Sequence, residues 1–216
     1  MPGKLLFKLA KSPLMGKVVG LAFQYCAGII PVQKVYKSKA VLAFFHPQPS
    51  YPDHMILSPR KPVRNLQQMS SAHLAGVWEA VRHIQKARFS CCDSFVLIAN
   101  GGWKQEVQQV HFHLFTNNKM VDDDAPKAED VLLYQEETLC VLERPAAEGR
   151  LHFVLKPQNG QANQTVCFSS VLQTIDRLDA KFHIVENGYS LIYQHGHEKC
   201  DMDHPVFHIL SGKRKT

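Results

Sequence analysis

The feature that most limits what this chain can fold into is a repeat of itself. Displaced by 98 residues, Pro47, His54, Leu57 and Pro59 fall on Pro145, His152, Leu155 and Pro157. Displaced by 95, Val77, Arg82, Gly101, Phe112 and His113 meet Leu172, Arg177, Gly196, Phe207 and His208. The matches keep their order, and a three-residue deletion between the two blocks accounts for the change of offset. Two copies of one supersecondary unit in 216 residues imply two similar halves that bury their apolar faces together.

The first copy shows what the unit is. Residues 40–46 and 54–58 are short apolar runs on either side of P-Q-P-S-Y-P-D, which predicts two strands around a turn. Ser70 and Ser71 offer an N-cap ahead of Leu74, Val77, Trp78, Val81 and Ile84, one apolar stripe on a helix reaching about Lys86. A strand over 95–99, a turn at Asn100-Gly101-Gly102 and a strand over about 107–115 complete a β-β-α-β-β unit. Alternation in that last strand puts Gln109, His111 and His113 on one face and Val110, Phe112 and Leu114 on the other. The second copy carries His204, Val206 and His208 at the corresponding places, so its central imidazole is gone. The expected organisation is a basic apolar segment 1–39, a repeat 40–117 bearing the candidate site, an acidic linker 118–131, a degenerate repeat 132–212 and a basic tail 213–216.

Charge is confined to the ends. The chain carries +6, yet its first 40 residues hold seven lysines and no Asp, Glu or Arg, and the rest nets −1, or −4 without Lys213, Arg214 and Lys215. No nucleic-acid partner is expected, because such a partner needs the basic patch on the fold itself. The run 14–32 is close to the roughly 20 apolar residues of a spanning helix, but Gly16, Gly20, Gly28 and Pro31 break it. Three readings stay open for it: an N-terminal helix packed on the domain, an interfacial helix bringing residues 1–35 to an anionic membrane surface, or a targeting peptide. Six cysteines, at 26, 91, 92, 140, 167 and 200, form no C-x-x-C, which points to a cytoplasmic or other reducing compartment.

Asn100, Gly102, Gln105, Val107 and the run Gln109-Val110-His111-Phe112-His113-Leu114, with His54 upstream ahead of Pro59-Arg60, resemble the signature of the histidine triad (HIT) superfamily of nucleotide hydrolases and transferases. The resemblance covers about 40–117 and, more weakly, 138–212. It implies an α+β fold in which the two repeats form an intramolecular pseudo-dimer with one continuous antiparallel sheet; the N-terminal helical segment expected beside it comes from the run 14–32 and not from the resemblance. It implies His111 as a nucleophile on the α-phosphorus of a nucleotide substrate, of phosphoramidate or dinucleoside polyphosphate type, through a nucleotidyl-histidine. His113 and Gln109 would complete the catalytic group, and His54, Gln105, Asn100, His46 and Lys104 would line the substrate site. Neither a metal nor a cofactor is implied. The departures are physical ones: Gln109 cannot donate a proton as an imidazolium would, Glu106 stands where Ser or Thr is usual, and His46 stands where an acidic residue usually holds the ribose. A nucleotide-binding module with impaired catalysis is the alternative that these departures keep open.

Overall fold

Short apolar runs punctuated by proline and glycine become strands here, and the two amphipathic stretches become helices. The computed structural model describes residues 32–89, 94–116, 127–146, 149–158, 164–196, 202 and 205–212, with only the helical backbone of 164–167. In chain order they form β1 (Lys34–Lys37), β2 (Val41–Phe45), β3 (Met55–Pro59), α1 (Ser71–Arg88), β4 (Phe95–Gly101), β5 (Phe112–Thr116), β6 (Val131–Gln135) and β7 (Leu139–Arg144). The chain continues as β8 (Arg150–Pro157), α2 (Gln164–Phe182), the single turn α3 (Ile184–Asn187), β9 (Tyr189–His195) and β10 (Phe207–Gly212). The ten strands make one sheet in the order β1-β2-β3-β5-β4-β9-β10-β8-β7-β6. Every pairing in it is antiparallel. With β6 to β10 taken as copies of β1 to β5, that order reads the same from either edge. The molecule is an α+β pseudo-dimer closed by β4 against β9.

Each half has one strand more than the expected β-β-α-β-β. The extra strands, β1 and β6, are the two edges of the sheet, so β1 draws its residues from the basic segment 1–39 and β6 starts on the last residue of the linker. Residues 1–31, the tail 213–216 and Cys26, Cys91, Cys92 and Cys200 lie outside the described residues, and with them the expected N-terminal helix. Cys140, on β7, is a half-buried free thiol. No helix among the described residues is long and apolar enough to cross a membrane.

The helix α1 starts where the sequence predicts. Ser70 accepts from the His73 amide and the His73 ring accepts from the Ser70 amide, a reciprocal cap that satisfies two otherwise orphan donors. Its buried stripe packs on one face of the sheet with α2, and Trp78 ties the halves together. The Trp78 indole lies edge-on to Phe168 of α2 and Tyr193 of β9, with centroids 5.7 and 4.7 Å away, and its Nε1–H donates to the Met202 carbonyl at 3.3 Å.

Strand register refines the repeat. His113 stands between Ile56 and Ile98, and its counterpart His208 stands between Val154 and Ile192. The 98-residue offset thus holds from β3 to β8 and the 95-residue offset from β5 to β10, but β4 to β9 is one residue shorter. Ile98 therefore pairs with its own counterpart, Ile192, at the middle of the β4–β9 ladder. The sequence match of Gly101 with Gly196 is corrected by the same step: Gly102 is the true counterpart of Gly196. Both are left-handed, with φ of 62° and 87°. Each lies against the other half, a Cβ on Gly102 falling 2.0 Å from the Val185 carbonyl oxygen and one on Gly196 falling 2.7 Å from the Ser94 Cα. Gly102→Ala should cost about 2 kcal/mol or more, from the left-handed backbone and the forced retreat of Val185. A urea unfolding midpoint equal to that of the wild type would contradict this seating.

Candidate active site

Two glutamines shape the segment that carries the histidines. Strand β5 begins at Phe112, not near residue 107 as alternation suggests, because residues 105–111 are held by tertiary hydrogen bonds. Gln109 is 1% exposed. Its Oε1 accepts from the Val63 amide at 3.1 Å, and its Nε2 donates to the carbonyls of Pro59 (3.0 Å) and Lys61 (3.3 Å) and to Ser58 Oγ (3.3 Å). Gln109 thus staples the 58–63 segment and does not share the open face with His111 and His113. Gln105 acts similarly, its Nε2 donating to the carbonyls of Arg64 and Val107. The amide donors of both glutamines, expected to reach substrate, are engaged by the protein itself.

The imidazole protons can be placed from their partners. His111 Nδ1 lies 2.9 Å from the Gln109 carbonyl, an acceptor only, so the proton sits on Nδ1 and Nε2 carries a lone pair. Burial lowers the His111 pKa, partly opposed by that carbonyl and by the Glu106 carboxylate. The Ser50 amide donates to His54 Nδ1 (3.3 Å), which puts the His54 proton on Nε2. That proton is donated to His113 Nδ1 at 2.9 Å, leaving the His113 proton on Nε2. Asp53, in a left-handed conformation with φ of 48°, accepts from Thr116 Oγ1 at 3.2 Å and holds the turn that delivers His54. Burial, with His46 alongside, pushes His54 down to about 4. Burial and the neighbours His111, His54 and His46 push His113 down to about 2. His54, His111 and His113 are therefore neutral at physiological pH.

His46 stacks on His54, rings 4.3 Å apart and 8° from parallel. Ring nitrogens of His46, His54 and His113 come within 4.8 Å of one another, a spacing that a metal ion could use. The tautomers oppose it. A metal-bound imidazole normally donates its second N–H to a carbonyl or carboxylate. Here the Nδ1 atoms of His46 and His54 instead accept from the amides of Gln48 (3.0 Å) and Ser50, so the protons stand on the nitrogens that would have to ligate. The cluster fits a hydrogen-bond relay better than a metal centre.

Asn100 completes the near side. The β4–β5 ladder ends at Ala99 opposite Phe112, and Asn100 and His111 are the residues that adjoin that last pair. Its Oδ1 accepts from Ser190 Oγ at 2.8 Å, a residue of the other half. Lys104, half-buried in the adjoining turn, has its pKa lowered by burial and by Arg150. Ser50 and Ser190 were not found from the sequence: one acts through its backbone amide and the other lies 90 positions away from its partner.

The second half keeps the dyad and loses the site. His152 Nε2 and His208 Nδ1 are 2.9 Å apart, and the rings stand at 5.2 Å and 46° against 5.1 Å and 44° for His54 and His113. At the place of His46 stands Arg144, 3% exposed and clamped to Asp130 through two bonds of 2.8 and 2.9 Å. The Arg144 guanidinium holds Asp130 at about 2.

Comparison with known proteins places these features in company. A family model described as the HIT domain matches residues 27–120. An uncharacterized HIT-like protein of Methanocaldococcus jannaschii is 32% identical over 93 residues, 40% of this chain and 70% of its own length. Among solved structures, an ADP-glucose phosphorylase of Arabidopsis thaliana with bound ADP-glucose covers 90% of this chain and 80% of its own, with a TM-score of 0.61 at 6% identity. A yeast Ap4A phosphorylase covers 81% of this chain and 59% of its own, with a TM-score of 0.54 at 12% identity. The family model thus falls on the first half, and the two structures share the fold over most of the chain.

An acid dependence follows from the buried imidazoles. Burial and the adjacent His208 also lower His152, to about 4. Between the ordinary value of 6.5 and about 4, the unfolded chain binds protons that folded His54 and His152 refuse. Stability is therefore full above pH 6.5 and falls as pH drops toward 4. Urea midpoints measured from pH 8 to 4 should be level at first and then decline, whereas a level midpoint throughout would show that these rings accept protons in the folded state.

Proposed function

The chain belongs to the histidine triad (HIT) family, and on that premise we propose that it is a nucleotide hydrolase or nucleotidyltransferase working through a covalent nucleotidyl-histidine at His111. The observation that carries this reading is the bond from His111 Nδ1 to the Gln109 carbonyl, which fixes the tautomer and leaves a lone pair on a neutral Nε2. In the first step that lone pair attacks the α-phosphorus, the P–N bond forms, and the bond to the leaving group breaks with its electron pair. Water or another acceptor then attacks phosphorus, and Nε2 recovers its lone pair. The Asn100 amide and the Lys104 ammonium are the groups suited to the phosphoryl oxygens.

Gln109 narrows the leaving group. It has no ionisable proton, and its amide hydrogens are engaged by Pro59, Lys61 and Ser58. Groups that depart as stable anions, as in dinucleoside polyphosphates and other phosphoric anhydrides, are therefore favoured over phosphoramidates, whose amine must be protonated as it leaves. Two proteins of the same fold carry names of this substrate class, ADP-glucose phosphorylase and Ap4A phosphorylase. At 6% and 12% identity that likeness supports the architecture, and the chemistry rests on His111. A second reading, a nucleotide-binding module with impaired catalysis, draws support from Glu106, whose carboxylate acts on His111 and would repel a phosphate.

Turnover of a dinucleoside tetraphosphate by the full chain, followed by chromatography, separates the readings. His111→Ala should reduce the rate at least about a thousandfold with an unchanged melting temperature, and a nucleoside phosphoramidate should react more slowly than the anhydride. Undiminished turnover by His111→Ala would contradict the proposal. Thermal stabilisation by the nucleotide without turnover would favour the binding module.

A further inference from the structure

We propose that Ser190, in the half that lacks the nucleophile, is a positioning residue for the His111 site, fixing the Asn100 amide so that its NH2 group is presented beside His111. The inference rests on the reading of His111 as nucleophile. Three observations carry it. Asn100 and Ser190 are directly opposed across the β4–β9 seam, and their side chains meet at 2.8 Å with the hydroxyl donating to Oδ1. A side-chain amide has an acceptor and a donor end of nearly equal size, so a donor on Oδ1 turns the NH2 the other way. Second, Ile98 pairs with His113, so side chains at 98 and 100 lie on the histidine face, and Asn100 and His111 are the residues that adjoin the last ladder pair, Ala99 with Phe112. An anionic phosphoryl group there needs donors, and an outward-facing Oδ1 would repel it.

Third, the bond is asymmetric in a molecule built on symmetry. The pseudo-twofold counterpart of the Asn100–Ser190 pair is the Gln194–Val96 pair, also directly opposed in the ladder. Valine has no hydroxyl, so no such bond is possible on the side where Val206 stands in place of the central imidazole. The seam hydroxyl is present where the nucleophile is present.

The test is a double-mutant cycle on dinucleoside tetraphosphate turnover with the full chain. Ser190→Ala should lower kcat/KM by roughly tenfold, the scale of one well-placed hydrogen bond. Ser190→Thr, which keeps the hydroxyl on a strand, should restore it. In an Asn100→Ala background, Ser190→Ala should have no further effect. Ser211→Ala removes a buried hydroxyl of β10 that lies off the seam and donates to the Gly188 carbonyl at 3.1 Å, and should leave kcat/KM at the wild-type level. Full activity in Ser190→Ala, an equal loss in the Asn100→Ala background, or an equal loss in Ser211→Ala would each overturn the assignment while leaving the His111 reading intact. A wild-type protein that turns over no nucleotide overturns both.

Discussion

The pairing of β4 with β9 is the constraint on which the rest of this molecule depends. Two copies of one strand can join about a twofold axis only when they run antiparallel, and here the axis falls where Ile98 meets Ile192. One continuous sheet follows, with edges only at β1 and β6. A half on its own would leave the β4 edge unpaired and would strip Trp78 of Phe168, Tyr193 and the Met202 carbonyl. The same seam delivers Ser190 to Asn100 and seats the Gly102 turn on Val185, so it assembles the site as well as the core.

Duplication relaxes the demand on each copy. A pair of imidazoles joined by one hydrogen bond is compatible with a buried sheet face, and both halves keep it with nearly equal geometry. The central imidazole, His111, is present only in the first, where Val206 stands in the second. In the second, a buried ion pair between Arg144 and Asp130 occupies the region that His46 borders in the first. Breaking such a pair by removing one partner leaves an uncompensated buried charge, which makes the second half hard to convert back by a single substitution.

Much of this was legible in the sequence because it is local or repeated. Ser70 and the stripe from Leu74 to Ile84 define α1, and the matched residues around His54 and His113 define the duplication and the shared sheet. The misses have physical causes. Strands β1 and β6 are four and five residues long, and Lys34, Lys37, Val131 and Leu132 are exposed, so neither has a buried face to give alternation. The alternation over 107–111 is real as a pattern, but the Gln109 bonds to Pro59, Lys61 and Val63 override it. The shift of Gly101 to Gly102 as the partner of Gly196 turns on a single-residue deletion, visible only once the strands are in register. Of the residues expected at the site, His54, His113, His46 and His111 come together in one cluster, whereas Gln105 and Gln109 turn to the backbone.

In the proposed reaction His111 Nε2 forms a bond to phosphorus. The most direct test of that bond is the intact mass of the full chain after brief incubation with a dinucleoside polyphosphate, quenched at alkaline pH because phosphoramidates are acid-labile, with the modified residue located by peptide mapping. A nucleotidyl adduct on His111 is the predicted result. Turnover of the same substrate with no adduct on His111, or with an adduct that persists in His111→Ala, would contradict it.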